Sequence, residues 1–480
     1  MRTESTGTVR LRRKPLLLFV AITVALSIGL SFTRGRMGDL RCYVLGARRM
    51  LAGTEIYRVE RGPFTYPPFF AVPFMPICFL PEFACRSIWY FCNITMLGAS
   101  CLLIARMAEP AMRRSRSSGR KPLQPTSADA PPVASDAADS KGSKRLDRRR
   151  LLLIALIVLL AGRHAISPVE YQAHDLVVFL LALLAIATWD VPKRWLPGFW
   201  AGLAAACKAT PLLFLPVFVI QRRFRAAAAL ILTAAVATLM TDAVFPRNDG
   251  RLWGMAWYET FVSKVQVGAA PDVQSAWRSW DYLNQSLTGT LSRLSTPIPD
   301  EQVTERRFDV SLWNPAPPTL KATTLALQLA FVGLLLWFTR PSLSAGLPPR
   351  ERTFHRLGEG GLILCGMLLL SPMSSKHHFC ALLVPVTYCL VDFFYRRRSL
   401  PVLVLISLTI ALSTFGAKDL IGRPLANTLL AYGALTWCTV AAFLTSCWVL
   451  RSRSAELRVP VQTVPLPERP QPSEIRRQAG

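Results

Sequence analysis

Long apolar runs constrain this chain more than any other sequence feature. Eleven of them alternate with polar segments, at roughly 15–33, 84–106, 150–163, 174–190, 197–220, 225–245, 318–339, 357–372, 379–396, 399–416 and 425–450. A helix of about 20 apolar residues crosses the hydrocarbon core of a bilayer. Of the 480 residues, 51% are hydrophobic and 18% are charged. The sequence therefore predicts an all-α polytopic membrane protein.

The run at 197–220 differs from the others because both of its flanks are basic, at Lys193-Arg194 and Arg222-Arg223, while Lys208 and Pro211 interrupt its middle. A single crossing would place one basic flank on the wrong side of the membrane. Two short helices that meet near Lys208 satisfy both flanks, and Pro211 supplies the break. This arrangement predicts about twelve transmembrane segments, with both termini in the cytoplasm.

The net charge of +27 comes from Lys and Arg clusters between the apolar runs. Such clusters are typical of cytoplasmic loops and favour contact with anionic membrane lipids. No basic segment is interleaved with stacking aromatics, so we expect no nucleic-acid partner. The 11 cysteines are scattered without a CxxC pair or a Cys/His cluster, so neither a metal site nor a disulfide framework is indicated.

The alternation of helices predicts four parts in the chain. Residues 1–106 hold the first two transmembrane helices and an outer loop at 34–83, which carries interfacial helices. Residues 107–149 contain no aromatics and are rich in Pro, Ser, Ala and Asp, so we expect a disordered basic cytoplasmic insertion. The rest of the transmembrane bundle, with an outer loop at 246–317, occupies 150–450. A disordered cytoplasmic tail follows at 451–480.

The first outer loop contains an acidic residue and an aromatic-proline corner. Asp39 precedes an amphipathic segment, 40–51, that fits a helix lying in the membrane interface. The Asp39 carboxylate can cap that helix, or it can act as a general base on an incoming hydroxyl. Tyr66 begins a corner that shapes the loop or contacts a substrate, and the segment 69–81 is too short to span the bilayer.

Lys208 and a histidine pair are the candidates for phosphate binding. A cation in an apolar stretch costs roughly 2.5–3.5 kcal/mol on insertion scales, so Lys208 either contacts an anion or extends to the headgroups. Lys376 is a further candidate phosphate ligand, and His377 and His378 follow it where the chain re-enters the membrane. Adjacent side chains on a helix point about 100° apart, which suits metal chelation poorly. Phosphate contact, proton handling and a buried structural pair all stay open.

Further polar residues are predicted on the same side of the membrane. Arg163 is either a phosphate ligand or simply solvated. Asn284, Gln285 and Arg293 lie in the large outer loop, shortly after two tryptophans. Amides beside aromatic rings suit a sugar-binding surface, and the same composition also suits an interfacial aromatic belt.

Five short motifs occur in one order: Gly38-Asp39, Phe64-Thr65-Tyr66-Pro67-Pro68, Lys208-Ala209-Thr210-Pro211, Asn284-Gln285-Ser286-Leu287, and Ser371-Pro372 with His377-His378. Together they resemble the bacterial polyprenol-phosphate-mannose-dependent α-mannosyltransferases, glycosyltransferase family 87. The architecture is similar to that of other membrane glycosyltransferases of the GT-C type. The resemblance covers about residues 15–450, without the insertion.

The resemblance implies a role for several of these residues. It makes Asp39 the catalytic base and places Lys208, His377 and His378 along the donor site. The chain departs from the family pattern at Arg163, where the family has Gly-Gln, and at 375–376, where the family has Trp nearby. The added cations suit phosphate binding.

The reaction that the resemblance implies is the transfer of a hexose, with mannose favoured, from a polyprenyl-phosphate carrier. The acceptor is expected to be a glycolipid or glycan at the outer face of the bacterial cytoplasmic membrane, and neither metal nor cofactor is expected.

Two other functions stay open at this point. Broken helices and an intramembrane lysine also occur in transporters, so a flippase of polyprenyl-linked sugars is an alternative. Against a transporter, no repeat relates the two halves, and the polar residues gather on one side of the membrane. A non-catalytic member of the family is the third possibility.

Overall fold

The computed structural model describes residues 13–60, 62–117, 148–266, 269, 273, 277–414 and 418–456. Within these ranges the regular elements are helices, and the only β-type pairs are two isolated bridges. Most of the predicted insertion, at 118–147, and the tail after residue 456 lie outside the described residues.

In the part of the chain that the structure describes, sixteen α-helices are longer than four residues. In chain order they are α1 Arg13–Thr33, α2 Leu40–Leu51, α3 Glu82–Ser117, α4 Arg148–Tyr171, α5 Asp175–Ala187, α6 Leu196–Cys207, α7 Phe214–Ile220, α8 Phe224–Val244, α9 Trp253–Thr260, α10 Leu287–Ser295, α11 Pro317–Phe338, α12 Pro349–Leu369, α13 Leu383–Tyr395, α14 Leu400–Thr409, α15 Arg423–Ala431 and α16 Ala434–Glu456. Tighter 3₁₀ turns at Pro68–Phe74, Thr210–Leu213 and Lys376–Leu382 connect some of them.

Among the described residues, six helical stretches are long and apolar enough to cross a membrane: Glu82–Arg113, Arg148–Tyr171, Phe224–Val244, Pro317–Ser344, Lys376–Tyr395 and Ala434–Glu456. Shorter apolar helices lie between them, among them α5 and α6. Large apolar side chains stay exposed along α1, α8 and α11, which is expected where a helix faces lipid. The all-helical membrane bundle is therefore confirmed, whereas the count of twelve segments stays a prediction.

Three helices extend further than the apolar runs predicted. Helix α3 continues to Ser117, so residues 107–117 are helical and do not belong to a disordered insertion. An Arg113–Glu109 ion pair of 2.6 Å, one helical turn apart, stabilises this end. Helix α4 continues to Tyr171 through a π-helical turn, and α16 reaches Glu456. Polar residues such as Arg and Glu are good helix formers, and hydropathy alone does not register them.

The predicted break at Lys208 is confirmed. Helix α6 ends at Cys207, and Lys208 is extended, with φ −160° and ψ 132°. Gly198 of α6 packs on Ala226 of α8, and Gly202 packs on Leu230. Both pairs advance in the same direction, so α6 and α8 are parallel and the chain must reverse between them. At 1.5 Å per residue, the 12 residues of α6 are about 18 Å long and the 7 residues of α7 about 10 Å, both well short of a full crossing.

The centre of the bundle is α12, which is buried along nearly its whole length. Glycines allow its close contacts: Gly358 meets the Tyr388 ring and Gly361 meets Pro385, so α12 and α13 pack antiparallel. A second cluster of buried side chains, rich in aromatics such as Tyr43, packs the loop at 34–83 onto the ends of the helices. These two cores position the polar segments that follow α2, α6 and α12.

We expect Gly202→Val to disrupt the hairpin. A Cβ at this position would lie 2.5 Å from the carbonyl oxygen of Leu230, which is backbone and cannot move aside easily. Overpacking of this kind costs about 1–3 kcal/mol. The measurement is the thermal unfolding midpoint of the purified protein in detergent. Gly333→Ala is the matched control, because Gly333 lies in α11 with open space around it; equal midpoints for the two variants would contradict the close packing.

Candidate active site

One cavity of about 740 Å³ collects residues from five parts of the chain. They come from the loop at 34–83, the start of α5, the tip of the α6–α7 hairpin, the loop at 246–317 and the segment that follows α12. Its polar lining includes five residues that the sequence singled out, namely Asp39, Tyr66, Lys208, His377 and His378. The structure therefore brings these five together, although they are separated by up to several hundred positions along the chain.

Asp39 faces this cavity from the start of α2. Its backbone N–H donates to the carbonyl of Tyr171 at 3.1 Å, and the neighbouring Gly38 lies so close to Tyr171 that a Cβ would collide with it. The side chain makes no capping hydrogen bond, so the capping role is wrong. Burial, together with the negative charge of Asp175, raises the pKa of Asp39 to about 7. A carboxyl with such a pKa can accept a proton near neutral pH.

The wall beside Asp39 is aromatic. Tyr66 packs on the His174 ring with 4.2 Å between ring centroids, and Tyr43 lies beneath both rings. The Tyr43 hydroxyl and His174 Nδ1 are 3.3 Å apart. Burial lowers the pKa of His174 to about 3, so this imidazole is neutral at physiological pH. A rigid and uncharged wall therefore flanks the unpaired carboxylate.

Asp175 is the site residue that sequence reasoning missed. Its Oδ1 lies 3.1 Å from the Lys208 Nζ and 3.4 Å from the His378 Nε2. The carboxylate begins α5 and is buried. The signal in the sequence was an acidic residue at the start of an apolar run, which is costly unless it has a partner. Lys208 therefore has a counterion inside the protein.

The two histidines have different surroundings. The backbone N–H of Ser375 donates to His378 Nδ1 at 3.1 Å, which leaves the proton of a neutral ring on Nε2, toward Asp175. His377 Nδ1 lies 3.2 Å from the Ser167 hydroxyl, and its ring packs against Tyr171. Both imidazoles line the cavity, and hydrogen bonds fix their orientation.

Asn284, Gln285 and Arg293 do not line the cavity. All three are buried and hydrogen-bonded within the protein. Asn284 donates to the carbonyl of Pro372 at 3.2 Å, and Arg293 donates to three backbone carbonyls of its own loop and to Ala431. Asn284 holds the loop at 246–317 against the segment that carries the histidines, and Gln285 and Arg293 tie the same loop to the end of α15. All three therefore have a scaffolding role.

Arg163 and Lys376 are also absent from the wall of this cavity. Arg163 points toward the carbonyl of Ser413, at 3.5 Å, and Lys376 begins the 3₁₀ turn that carries the histidines. The cations on the outer wall are instead Arg306 and Arg307, which the sequence did not single out. Trp257 and Trp277 also line the wall.

The arrangement can perform acid–base chemistry next to a phosphate. One cavity of about 740 Å³ contains a carboxyl with a pKa of about 7, a lysine, two imidazoles and several aromatic faces. Among the residues that the structure describes, no group of three or more His, Cys, Asp or Glu side chains is arranged to hold a metal ion.

Comparison with known proteins agrees with this chemistry. The model of glycosyltransferase family 87 matches residues 64–372. A polyprenol-phosphate-mannose-dependent alpha-(1-2)-phosphatidylinositol mannoside mannosyltransferase of Mycobacterium tuberculosis is 26% identical over 425 residues, covering 86% of this chain and 82% of the relative. The protein of the same description from Mycolicibacterium smegmatis is 24% identical over 433 residues, covering 87% and 84%.

A pentamannoside mannosyltransferase from Mycolicibacterium smegmatis is 27% identical over 267 residues, covering 53% of this chain and 56% of the relative. No solved structure matches the chain significantly. The family match extends from the aromatic-proline corner to Ser371-Pro372, which includes the hairpin and most of the cavity wall. The chain belongs to glycosyltransferase family 87.

Proposed function

We propose that this protein transfers mannose from a polyprenyl-phosphate carrier to a phosphatidylinositol-mannoside type of glycolipid. The names of its mycobacterial relatives support this donor and this acceptor. The observation that carries the proposal is the unpaired Asp39 carboxyl, whose pKa is about 7, in one cavity with Lys208 and two histidines. Such a cavity offers a base for one substrate, and an ammonium group and imidazole N–H donors for the phosphate of the other.

The bond changes follow from this placement. Asp39 takes the proton of the acceptor hydroxyl as its oxygen attacks the anomeric carbon of the donor sugar. The bond from that carbon to the phosphate oxygen breaks, and its electron pair leaves with the polyprenyl phosphate. Lys208 and His377 offset the charge that grows on the leaving phosphate, while His378 faces the Asp175 carboxylate beside them. Tyr66 forms the wall against which the sugar packs.

The Lys208–Asp175 pair has a function in this scheme. A lysine without a counterion at the tip of a re-entrant hairpin would be costly before the donor binds. Asp175 neutralises Lys208 in the empty cavity, and the donor phosphate shares the ammonium when it arrives. We place the cavity at the outer face of the cytoplasmic membrane with both termini inside, because Lys and Arg clusters flank the opposite helix ends.

A flippase for polyprenyl-linked sugars is the rival function, and the broken α6–α7 hairpin favours it. Purified protein in detergent, given radiolabelled polyprenyl-phosphate mannose and phosphatidylinositol mannoside, separates the two. A transferase forms a new mannosyl glycolipid, whereas a flippase forms no glycosidic bond. Absence of labelled glycolipid from a folded protein would overturn the proposed function.

The Asp39→Asn variant is expected to lose about 10²–10⁴-fold in transfer rate, the usual contribution of a general base. The amide keeps the shape of the side chain but cannot accept the proton. The measurement is the initial rate of labelled glycolipid formation. Asp300→Asn serves as the control, since Asp300 is exposed in the second outer loop and lies outside the cavity. Full activity of a folded Asp39→Asn protein would remove Asp39 from the mechanism.

The pH dependence of kcat/KM should show the titration of Asp39. Because the folded-state pKa is raised to about 7, the carboxyl is protonated and inactive as a base below that pH. We expect kcat/KM to fall about tenfold per pH unit below 7 and to level off above it. Initial rates between pH 5 and 9 provide the test, and a profile that is flat down to pH 5 would contradict the assignment. The residual activity of Asp39→Asn should not show this fall in kcat/KM below pH 7.

Lys208 and Asp175 should behave as one unit in a double-mutant cycle. Removing either partner leaves a buried charge alone, which costs about 3–5 kcal/mol, whereas removing both restores neutrality. Lys208→Met and Asp175→Asn should therefore show a coupling energy of about 0.5–3 kcal/mol in the free energy of unfolding.

The control cycle uses the exposed pair Arg34–Glu170, whose atoms are 3.0 Å apart and whose side chains are 51% and 39% exposed. Exposed pairs contribute about 0–1 kcal/mol. Additive effects of Lys208→Met and Asp175→Asn, equal to those of the control pair, would show that the ion pair does not exist in the protein.

A further inference from the structure

Four of the six charged side chains that line the cavity form ion pairs with each other, and two do not. The wall carries Asp39, Asp175, Lys208, Asp281, Arg306 and Arg307. Asp175 pairs with Lys208, and Asp281 pairs with Arg307 at 3.0 Å. Among the described residues, neither Asp39 nor Arg306 has an ion-pair partner. Asp39 has a role as the base, so Arg306 is the cation of the wall to which no function has yet been assigned.

The chain around Arg306 is built as a tight turn. Thr304 and Arg307 exchange two backbone hydrogen bonds, of 2.8 and 3.0 Å, which place residues 305 and 306 at the tip. Both guanidinium contacts of Arg307 reach the Asp281 carboxylate, at 3.0 and 3.3 Å. The turn is therefore anchored to the middle of the loop at 246–317. An anchored turn holds its tip residue in one place.

Arg306 lies against an aromatic ring of the same wall. Its guanidinium carbon is 5.7 Å from the centre of the Trp277 ring, within the range of a cation–π contact. The backbone N–H of Trp277 lies 3.0 Å from the Met373 sulfur, in the segment that leads to His377. The backbone carbonyl of Arg306 accepts from the N–H of Tyr282. The Arg306 side chain therefore faces the cavity, while its contact with Trp277 and its backbone bond to Tyr282 hold it in place.

We propose that Arg306, held against Trp277, binds the phosphodiester group of a lipid substrate in the outer part of the cavity. The planar guanidinium matches two phosphate oxygens, which a lysine cannot do in the same way. This inference rests on the proposed function, in which the donor and the acceptor are both lipid phosphodiesters. Donor and acceptor each carry one singly charged phosphodiester group, and the experiment below decides which of the two Arg306 binds.

The test is steady-state transfer by Arg306→Gln and Arg306→Lys in detergent, with donor and acceptor varied separately. Arg306→Gln should raise KM for one lipid substrate roughly 10-fold, since it loses a charge-assisted hydrogen bond. Arg306→Lys should lie between Arg306→Gln and the unaltered protein. Arg251→Gln is the matched control, because Arg251 is an exposed outer-loop arginine away from the cavity.

A neutral acceptor identifies the source of the phosphodiester. Octyl α-mannoside carries a mannose hydroxyl but no phosphate. If Arg306 binds the acceptor phosphate, the Arg306→Gln protein will match the unaltered protein with this acceptor. If it binds the donor phosphate, the rise in donor KM will persist. Either outcome supports a phosphodiester site at Arg306.

The inference and the proposed function fail in different ways. If the unaltered protein forms no labelled glycolipid, the proposed function fails. If it does form product, and Arg306→Gln has unchanged KM values for the donor and for both acceptors while unfolding at the normal temperature, only the site at Arg306 is overturned.

Discussion

The Asp175 carboxylate holds together three parts of the chain that are far apart in sequence. It accepts from the Lys208 ammonium at 3.1 Å and lies 3.4 Å from the His378 imidazole, while its own backbone begins α5. The hairpin tip can carry a cation into the protein only because this counterion is present. The histidine segment is oriented by the same carboxylate. The geometry of the site therefore depends on a residue that does not take part in the proposed bond changes.

Two carboxylates of one cavity acquire different properties from their neighbours. Asp175 has a lysine and an imidazole within reach, and these stabilise its negative charge. Asp39 has no such partner among the described residues; burial and the nearby charge of Asp175 raise its pKa to about 7. Environments that separate two titrating groups in this way indicate their roles. The paired carboxylate positions cations, and the unpaired one is free to exchange a proton.

The sequence predicted the helical bundle, the break at Lys208 and the meeting of Asp39, Tyr66, Lys208 and the histidine pair. The bundle and the break could be predicted because apolar length and basic flanks follow directly from the bilayer, whereas the grouping of the site residues also rested on the resemblance to the family. Asp175 was not predicted, since one acidic residue in a first helical turn also suits the helix dipole. The amide of Asn284 and the guanidinium of Arg293 were assigned to substrate, yet they bond backbone carbonyls. Which carbonyls lie within reach of an amide depends on loop packing, which no local pattern encodes.

Polarity alone therefore does not separate the wall of this site from its scaffold. In the loop at 246–317, buried polar side chains such as Gln285 and Arg293 are held by hydrogen bonds to backbone carbonyls. A buried polar group that is fully bonded has no capacity left for a ligand. The groups that can still bind are those with unused charge or hydrogen bonds that face the cavity. In this protein the pairing of charges, more than their presence, distinguishes Asp39 and Arg306 from the side chains that surround them.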